Sequence, residues 1–306
     1  MVKPQYEQYC QGTPTILVRE EFGDANVYAQ NAKSLLTKAS GFIAAYDFTL
    51  NPYRGCQYGC SYCYAAAFSP NPQMRQNWGK WVIIKQNAAE ILEKELESWY
   101  KKNPDKPPSI YMSSVTDPYQ PIESKQQLTR QLLEVMAAYR PILVIQTRSP
   151  IITRDIDKLQ RFQHLRINMS IPTGSESVRK DFEPRSPSIK ARLNAVKAIK
   201  QSIDPLKGFV PKLSITITPL LPTEDADEDA FINQLKIADR IVIQEFHASH
   251  NRLLVAGTRQ EAQKIKEKYA WWYDNEQVNY LKFKEKLVSR LTGVEIREGK
   301  DGFGYE

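Results

Sequence analysis

Short apolar runs alternate with amphipathic stretches through the middle of the chain. Runs rich in β-branched residues predict buried strands, and apolar residues at helical spacing predict helices that pack on them. The predicted strands are residues 43–50, 109–115, 142–147, 165–171, 213–218 and 241–246. The predicted helices are residues 87–101, 155–163, 188–201 and 229–237, with one more that Ser124 and Gln127 would cap before Leu128. Six strands that alternate with helices predict a parallel α/β sheet, either an open layer or a barrel.

The two ends of the chain differ from this middle part. Residues 1–39 are polar and rich in turn-forming residues, so we expect an N-terminal extension packed on a main domain of residues 40–250. Further on, Thr258 and Glu261 form a capping box before a helical pattern. Residues 251–306 are therefore predicted to form a C-terminal helical extension that packs on the same domain.

One segment, here called the cysteine loop (residues 51–65), carries three of the chain's four cysteines, Cys56, Cys60 and Cys63. At C-x3-C-x2-C spacing three thiolates can face one centre only from a loop, and Gly55 and Gly59 let the backbone wrap around it. Thiolates are the usual ligands of iron–sulfur clusters, which normally take four. Because this set stops at three, one metal position stays open to a substrate or cofactor, as in catalytic centres. A zinc knuckle is the alternative, although zinc sites usually close with paired C-x2-C units and the sequence has no second pair.

The cysteine loop resembles the cluster loop of the radical S-adenosylmethionine (SAM) superfamily, in which Tyr62 matches the aromatic position before the last cysteine. The flanking sequences Asn-Pro-Tyr-Arg-Gly-Cys and Tyr-Cys-Tyr-Ala are similar to those of the spore photoproduct lyase branch. The resemblance implies that Cys56, Cys60 and Cys63 bind three irons of a [4Fe-4S] cluster and that SAM chelates the fourth. It also implies that the sheet is a partial (β/α)6 TIM-like barrel, with the cysteine loop after its first strand.

The same resemblance places the SAM contacts at the C-terminal ends of the strands, where such barrels carry their chemistry. Hydroxyls and a carboxylate after the second strand suit the ammonium group of SAM, and Arg148 replaces a lysine of the relatives and can pair with the SAM carboxylate. Glu183 and Arg185 belong to a segment that looks like the Glu-Pro-Arg-x-Pro signature of the branch. A plain turn at Asp117 and a solvated salt bridge between Glu183 and Arg185 are the alternatives. The expected cofactor-binding residues are Tyr62, Ser113, Ser114, Thr116, Asp117, Arg148, Ser149, Ser170, Glu183 and Arg185.

The implied reaction is reductive cleavage of SAM to a 5′-deoxyadenosyl radical, which abstracts hydrogen from a substrate that the sequence does not identify. The electron would come from a reductant such as ferredoxin or flavodoxin. Spore photoproduct lyase uses a further cysteine after the second strand as hydrogen donor, whereas this chain has Ser113 and Ser114 there, and its spare cysteine, Cys10, lies far away in sequence. Tyr119 is therefore the candidate catalytic donor. A DNA-repair lyase and a non-catalytic iron–sulfur protein that binds nucleic acid are the alternative functions.

The composition of the chain bears mainly on which partners the protein could bind. The chain has 306 residues, 42% of them hydrophobic, which is ordinary for a globular protein, and a formal net charge of +7. The positive charge is compatible with a nucleic-acid partner, and lysines alternate with aromatic residues between Lys264 and Lys286. Because acidic residues dilute that stretch, a helix docked on the barrel is the favoured interpretation. No apolar run suits a membrane span or a signal peptide, so we expect no membrane partner and a cytoplasmic location.

Overall fold

The computed structural model describes residues 16–246 and 260–306, so the predictions for Cys10 and for the capping box at Thr258 lie outside the described residues. The strands are β1 (Ile16–Phe22), β2 (Ala25–Gln30), β3 (Leu36–Lys38), β4 (Phe48–Leu50), β5 (Tyr53–Arg54), β6 (Trp81–Lys85), β7 (Ser109–Met112), β8 (Ile142–Thr147), β9 (Leu165–Ser170), β10 (Lys212–Ile217), β11 (Arg240–Ile243) and β12 (Glu295–Glu298). The helices are α1 (Pro72–Gln76), α2 (Ala88–Lys102), α3 (Glu123–Gln126), α4 (Leu128–Tyr139), α5 (Ile156–Leu159), α6 (Glu176–Phe182), α7 (Ile189–Gln201), α8 (Asp225–Leu235), α9 (Gln260–Lys268), α10 (Ala270–Tyr273) and α11 (Glu276–Arg290). In these two ranges, no helix is long and apolar enough to cross a membrane.

The larger of two sheets has the strand order β3-β4-β7-β8-β9-β10-β11-β12. Every neighbouring pair from β4 to β12 is parallel, and β3 joins antiparallel at one edge. The six predicted strands are therefore neighbours in one sheet, and the predicted α/β class is confirmed. No pairing joins β3 to β12 within the described part of the chain, so the ring of strands is not closed, as a partial barrel requires.

The N-terminal third contains more strand than the sequence pattern indicated. A second, four-stranded sheet has the order β1-β2-β6-β5, with β2 parallel to β6. The first barrel strand is shorter than predicted because Gly41–Ile43 forms a 3₁₀ helix and Tyr46 N–H donates to the Ile43 carbonyl at 3.1 Å, which turns the chain before Phe48.

The helix after the second barrel strand begins differently from the prediction. Gln127 has left-handed backbone geometry, with φ of 50°, and separates α3 from α4. The predicted cap by Ser124 is therefore wrong. The buried carboxylate of Glu123 instead accepts a hydrogen bond from Thr129 N–H at 2.9 Å. It thereby satisfies one of the free N–H groups at the start of α4, which is what a cap must do.

The strands of the larger sheet have an apolar face toward the helices and a polar face away from them. In β9, Ile167 and Met169 join the main hydrophobic core with the helices. Asn168 and Ser170 alternate with them and are equally buried, so they lie on the opposite face. The face away from the helices is the barrel interior, and in β9 it is polar.

Polar side chains bridge the strands on this interior face. Tyr111 of β7 donates from its hydroxyl to Gln146 of β8 at 3.0 Å, and the Gln146 amide donates to Thr216 of β10 at 2.9 Å. Nearer the start of the strands, Arg166 donates to the Ser214 hydroxyl at 2.7 Å. Closed (β/α)8 barrels usually fill this space with branched apolar side chains. The hydrogen-bonding lining found here instead suits a polar ligand.

The C-terminal segment closes the lower end of the barrel interior, where the strands begin. Arg166 donates to the Tyr305 carbonyl at 2.7 Å, and the Tyr46 hydroxyl donates to the Phe303 carbonyl at 2.6 Å. Arg240 donates to further carbonyls of the same segment. Within the described residues, these contacts block approach to the polar face from the N-terminal ends of the strands.

The C-terminal helix α11 packs on α8. The Phe283 and Phe231 rings stack with centroids 6.2 Å apart, and Lys286 pairs with Glu228. Tyr280, one of the aromatic residues that alternate with lysines, is also buried. These contacts support the favoured interpretation of a docked helix. The exact boundaries of the N-terminal and C-terminal extensions stay predictions.

Candidate active site

The cysteine loop follows the C-terminal end of β4 and coils through successive tight turns. The carbonyl oxygen of each of its three cysteines accepts a hydrogen bond from the N–H group three residues further on, at 3.2 to 3.3 Å. Cys56 and Cys60 are buried and Cys63 is half-buried. No three His, Cys, Asp or Glu side chains of the described ranges converge as metal ligands. The Cys60 sulfur instead accepts a hydrogen bond from Arg148 Nη1 at 2.9 Å.

Gly55 lets the cysteine loop lie directly on Trp81. Its φ is +81°, and a Cβ atom built there would lie 2.6 Å from the Trp81 ring. Gly293 has a similar φ of +84° but no neighbour within 4 Å of such a Cβ. At residue 55, glycine is required both by the left-handed backbone and by the close contact with Trp81. At residue 293, it is required by the left-handed backbone alone.

This difference predicts unequal effects of alanine at the two positions. Gly293→Ala should lower the free energy of unfolding by about 1 to 2 kcal/mol through left-handed backbone strain. Gly55→Ala should lower it by about 2 to 4 kcal/mol, because overlap with Trp81 adds to the same strain. Urea denaturation of both variants and the wild type measures the two losses. Equal losses would show that the contact with Trp81 relaxes freely.

Residues after β7 hold the cysteine loop in place. The Thr116 hydroxyl donates to the Gly55 carbonyl at 2.6 Å, and Gln57 N–H donates to the Gln120 side chain at 2.9 Å. Tyr58 donates from its hydroxyl to the carbonyl of Tyr119 at 3.0 Å. Gln57 and Gln120 are buried. Sequence reasoning missed both, because an isolated glutamine gives no sign of burial.

Ser113 and Ser114 lie where β7 ends beside β4. The Asn51 side-chain oxygen accepts hydrogen bonds from Ser114 N–H and Val115 N–H, both at 3.0 Å. The Ser114 carbonyl accepts a hydrogen bond from the Tyr64 hydroxyl. Asn51, which the sequence analysis did not single out, thus positions the segment that was expected to contact SAM.

Asp117 links the ends of β7 and β8. Its carboxylate accepts hydrogen bonds from the Thr147 hydroxyl at 2.7 Å, from Tyr119 N–H at 2.9 Å and from Arg148 N–H at 2.8 Å. Burial raises the pKa of Asp117, while these donors and the Arg148 guanidinium lower it, and the net direction is upward. Asp117 therefore does more than begin a turn, because it fixes the backbone from which Arg148 reaches the cysteine loop.

Two arginines and one glutamate form a buried charged group against the cysteine loop. One oxygen of Glu183 meets Arg148 and the Tyr62 hydroxyl, and the other meets Arg192 Nη2 at 2.5 Å. Burial alone would raise the pKa of Glu183, but the guanidinium groups of Arg148 and Arg192 outweigh it and hold that pKa below its usual range. Burial likewise raises the pKa of the Cys60 thiol to about 12, with Arg148 opposing the rise.

Arg185 has partners other than the predicted one. It pairs with Asp24 at 2.5 Å and donates to the Gly79 carbonyl at 2.7 Å. The solvated salt bridge between Glu183 and Arg185 is thus wrong, because Glu183 lies inside the protein with Arg148. The Ser149 side chain is also engaged within the protein, because it accepts a hydrogen bond from Ile151 N–H at the start of the next helical turn.

Tyr119 is fully buried. Its hydroxyl lies near the Asp155 carboxylate, and burial with this neighbour raises the pKa of Tyr119 well above its ordinary value. No hydrogen bond of ordinary geometry satisfies the hydroxyl among the described residues. The catalytic role of Tyr119 stays a prediction.

Asn168 is the residue of the barrel interior that sequence reasoning missed. It has no exposed surface, and neither its amide nitrogen nor its oxygen has a hydrogen-bond partner in the described part of the chain. It lies near the Tyr111 hydroxyl and on the same face as Ser170. An unpaired buried amide is costly. The signal available was the alternation of polar and apolar residues along β9, which places Asn168 on one face with Arg166 and Ser170.

These residues fit an iron–sulfur cluster and a polar small molecule bound beside it. Three thiols on one coiled loop provide the soft donors that iron–sulfur clusters require. Asn168 offers an uncommitted donor and acceptor inside the barrel, as does the Ser61 hydroxyl within the loop. Zinc sites usually close with paired C-x2-C units, and the sequence has no second pair.

Comparison with known sequences gives a consistent result. A family model described as the Radical SAM superfamily matches residues 50–235. An uncharacterized protein of Methanocaldococcus jannaschii is 36% identical over 180 residues, which cover 59% of this chain and 62% of that protein. An uncharacterized protein of Mycobacterium tuberculosis is 28% identical over 215 residues, which cover 66% of this chain and 58% of that protein. The chain thus spans about three fifths of the length of these relatives.

Solved structures share the fold. Spore photoproduct lyase complexed with dinucleoside spore photoproduct has a TM-score of 0.58 at 16% identity, over 88% of this chain and 81% of that one. A mutant of that enzyme with bound AdoMet and dinucleoside spore photoproduct has a TM-score of 0.57 at 15% identity, over 88% and 80%. The family match extends from the end of β4 to the end of α8, more than half of the chain. This chain therefore belongs to the radical SAM superfamily and has the fold of spore photoproduct lyase.

Proposed function

We propose that this radical SAM enzyme holds three irons of its [4Fe-4S] cluster on Cys56, Cys60 and Cys63 and binds SAM at the C-terminal ends of the barrel strands. The cluster and SAM are the cofactors of the superfamily. The observation that carries the proposal is the coiled cysteine loop, tied by hydrogen bonds to the ends of β7 and β8. When bound, the cluster and SAM supply a 5′-deoxyadenosyl radical that takes a hydrogen atom from the substrate.

Arg148 would stabilise the cysteine ligands. Asp117 fixes its backbone and Glu183 fixes its guanidinium, which leaves Nη1 against the Cys60 sulfur. With Arg192 included, the group carries two positive charges and one negative charge. A net positive charge next to a cysteine favours the thiolate that iron requires, and hydrogen bonds to cluster sulfurs shift the reduction potential. Pairing of Arg148 with the SAM carboxylate stays a prediction.

Asn168 and Ser170 are the residues best placed to contact SAM from inside the barrel. Both lie on the interior face of β9, and Asn168 has two hydrogen-bonding atoms that nothing else in the described ranges uses. A ribose hydroxyl or an adenine edge can use both atoms. Thr116, Asp117, Ser149 and Arg185 are committed to other parts of the protein, so we assign them a positioning role.

This assignment predicts opposite effects of Asn168→Leu on binding and on stability. The affinity for SAM should fall about tenfold or more, since two hydrogen bonds are lost. Without SAM, the variant should be as stable as the wild type or more stable by about 1 kcal/mol, because an unpaired buried amide is removed. Equilibrium dialysis of the reconstituted protein measures the affinity, and urea denaturation measures the stability. Asn194→Leu, at an exposed position of α7, is the matched control. Unchanged SAM affinity in Asn168→Leu would contradict the assignment.

The reaction itself is tested under anaerobic conditions. The protein is reconstituted with iron and sulfide, reduced and incubated with SAM, and 5′-deoxyadenosine is measured by chromatography. Its formation would support the proposal. A protein that assembles a cluster but forms no 5′-deoxyadenosine, with irradiated DNA and other candidate substrates present, would contradict it.

The comparisons suggest a reductant and a first substrate to test. Superfamily members need an external reductant, and a flavodoxin or a ferredoxin is the expected one. Spore photoproduct lyase has been solved with a dinucleoside photoproduct, which makes irradiated DNA the first substrate to test. A repair lyase of that type is less favoured here. Ser113 and Ser114 replace its donor cysteine, and Tyr119 is buried.

A further inference from the structure

The part of the chain around the cysteine loop is unusual in its charge. Between Phe48 and Ala89 there is no aspartate or glutamate, although these make up 35 of the 306 residues and a run of this length would ordinarily hold several. The same run contains four cationic residues, Arg54, Arg75, Lys80 and Lys85. The segment that carries the cysteines is therefore purely cationic.

Two aromatic side chains beside these cations are exposed. Phe68 is 59% exposed and Tyr64 is 45% exposed, and their rings meet edge to face with centroids 6.4 Å apart. Arg54 donates to the Phe68 carbonyl and Arg75 to the Ala67 carbonyl, each at 3.4 Å. An exposed aromatic pair between two guanidinium groups has the composition of an interface centre, where aromatic residues and arginine are enriched.

This surface lies directly on the cysteine loop. Tyr64 follows Cys63, the most exposed of the three loop cysteines, and its hydroxyl contacts the end of β7. Lys80 follows Gly79, where a Cβ atom would lie 2.7 Å from the Cα of Gly59 in the loop. We call this surface the basic rim, formed by Arg54, Tyr64, Phe68, Arg75 and Lys80.

We propose that the basic rim is the docking site of the acidic electron-carrier protein that reduces this enzyme. The inference rests on the proposed function, because an electron must reach the cysteine loop from outside, and the transfer rate falls steeply with distance. One electron leaves the reduced carrier and one enters the cluster, with no bond made or broken. The charge pattern selects an anionic partner, and small, electrostatically steered interfaces are typical of redox encounters.

Three lysines of the other basic stretch of the chain are neutralised by acidic residues. In the C-terminal helices, Lys268 pairs with Asp181, Lys284 with Glu298, and Lys286 with Glu228. In contrast, Arg75 and Lys80 form no ion pair among the described residues. The positive charges of Arg75 and Lys80 therefore lie next to the cysteine loop without a neutralising partner in the described ranges.

The test compares two reductants on reconstituted protein. Flavodoxin, an acidic carrier, and photoreduced deazariboflavin, a small neutral reductant, are each used to reduce the cluster while its absorbance is followed. Arg75→Glu/Lys80→Glu should slow reduction by flavodoxin at least about tenfold at low salt. It should also weaken the binding of oxidised flavodoxin, measured by fluorescence anisotropy, and leave the rate with deazariboflavin unchanged.

Lys101→Glu/Lys102→Glu, at the far end of α2, makes the same charge change away from the rim and should change neither rate. Arg75→Gln/Lys80→Gln provides a milder second variant with an intermediate effect.

Each outcome decides between specific alternatives. Equal flavodoxin rates in the wild type and both rim variants, with a normal cluster, would overturn the docking site alone. Rim variants that keep the flavodoxin rate but lose binding to a single-stranded DNA oligonucleotide would reassign the rim to nucleic acid. A wild-type protein with no reducible cluster would overturn the proposed function together with the docking site.

Discussion

Cys60→Ala is expected to abolish both cluster assembly and SAM cleavage while the protein stays folded. Two thiols of the loop cannot hold the three irons that the proposed site assigns to protein ligands. Cys60 is buried, but its partner Arg148 keeps Glu183 as a partner when the sulfur is removed. Iron content, visible absorbance and 5′-deoxyadenosine formation measure the loss, and far-UV circular dichroism checks the fold.

Cys10→Ala is the matched control, because Cys10 is the one cysteine outside the cysteine loop. It should retain the iron content and 5′-deoxyadenosine formation of the wild type. If Cys60→Ala retained both as well, the loop could not be the cluster site. If Cys10→Ala lost both, a fourth protein ligand would have to replace the position proposed for SAM.

Glu183→Gln is expected to lower the free energy of unfolding by about 3 to 5 kcal/mol at neutral pH, because it leaves Arg148 and Arg192 buried without a counter-charge. Glu134→Gln is a fitting comparison. Glu134 also pairs with two cations, Lys158 and Arg161, but at the surface, so water takes over its role and a far smaller loss is expected. Urea denaturation of both variants measures the contrast. Similar losses would show that the buried group is as hydrated as the surface one.

The pH dependence of Glu183→Gln has a definite sign. The pKa of Glu183 is lower in the folded protein than in the unfolded chain, so its contribution to stability is complete above the usual glutamate pKa of about 4.3 and is lost as the pH falls through the folded value. The free energy of unfolding of the wild type should therefore approach that of Glu183→Gln only at acidic pH. A difference that stays constant down to the acid unfolding limit would mean that Glu183 is not ionised when folded.

The alternation of strands and helices could be predicted because the β-branched and apolar residues of the strands and the apolar stripes of the helices are local patterns. The second sheet was not predicted, since β2 and β6 pair across more than fifty intervening residues. The start of α4 was also missed. The pattern favoured a hydroxyl cap at Ser124, whereas a left-handed residue at Gln127 moves the helix start and Glu123 supplies the cap.

For the site, the cysteines could be identified because their spacing is a local property. The partners of Glu183 could not. Arg148 and Arg192 reach it from different segments, and only the fold decides that they, and not the nearby Arg185, neutralise it. Asn168 was overlooked because the lack of a partner for its buried amide depends on the neighbouring strands, which the sequence of β9 alone does not show.

The closed lower end of the barrel has a consequence for synthesis of the chain. The hydrogen bond from Tyr46 to the Phe303 carbonyl joins residues 257 positions apart. Contacts of such long sequence separation are slow to form, and during translation the early partner is made long before the late one. A nascent chain can therefore form its central strands before Phe303 has been synthesised, but the base of its barrel is completed only after that residue has emerged from the ribosome.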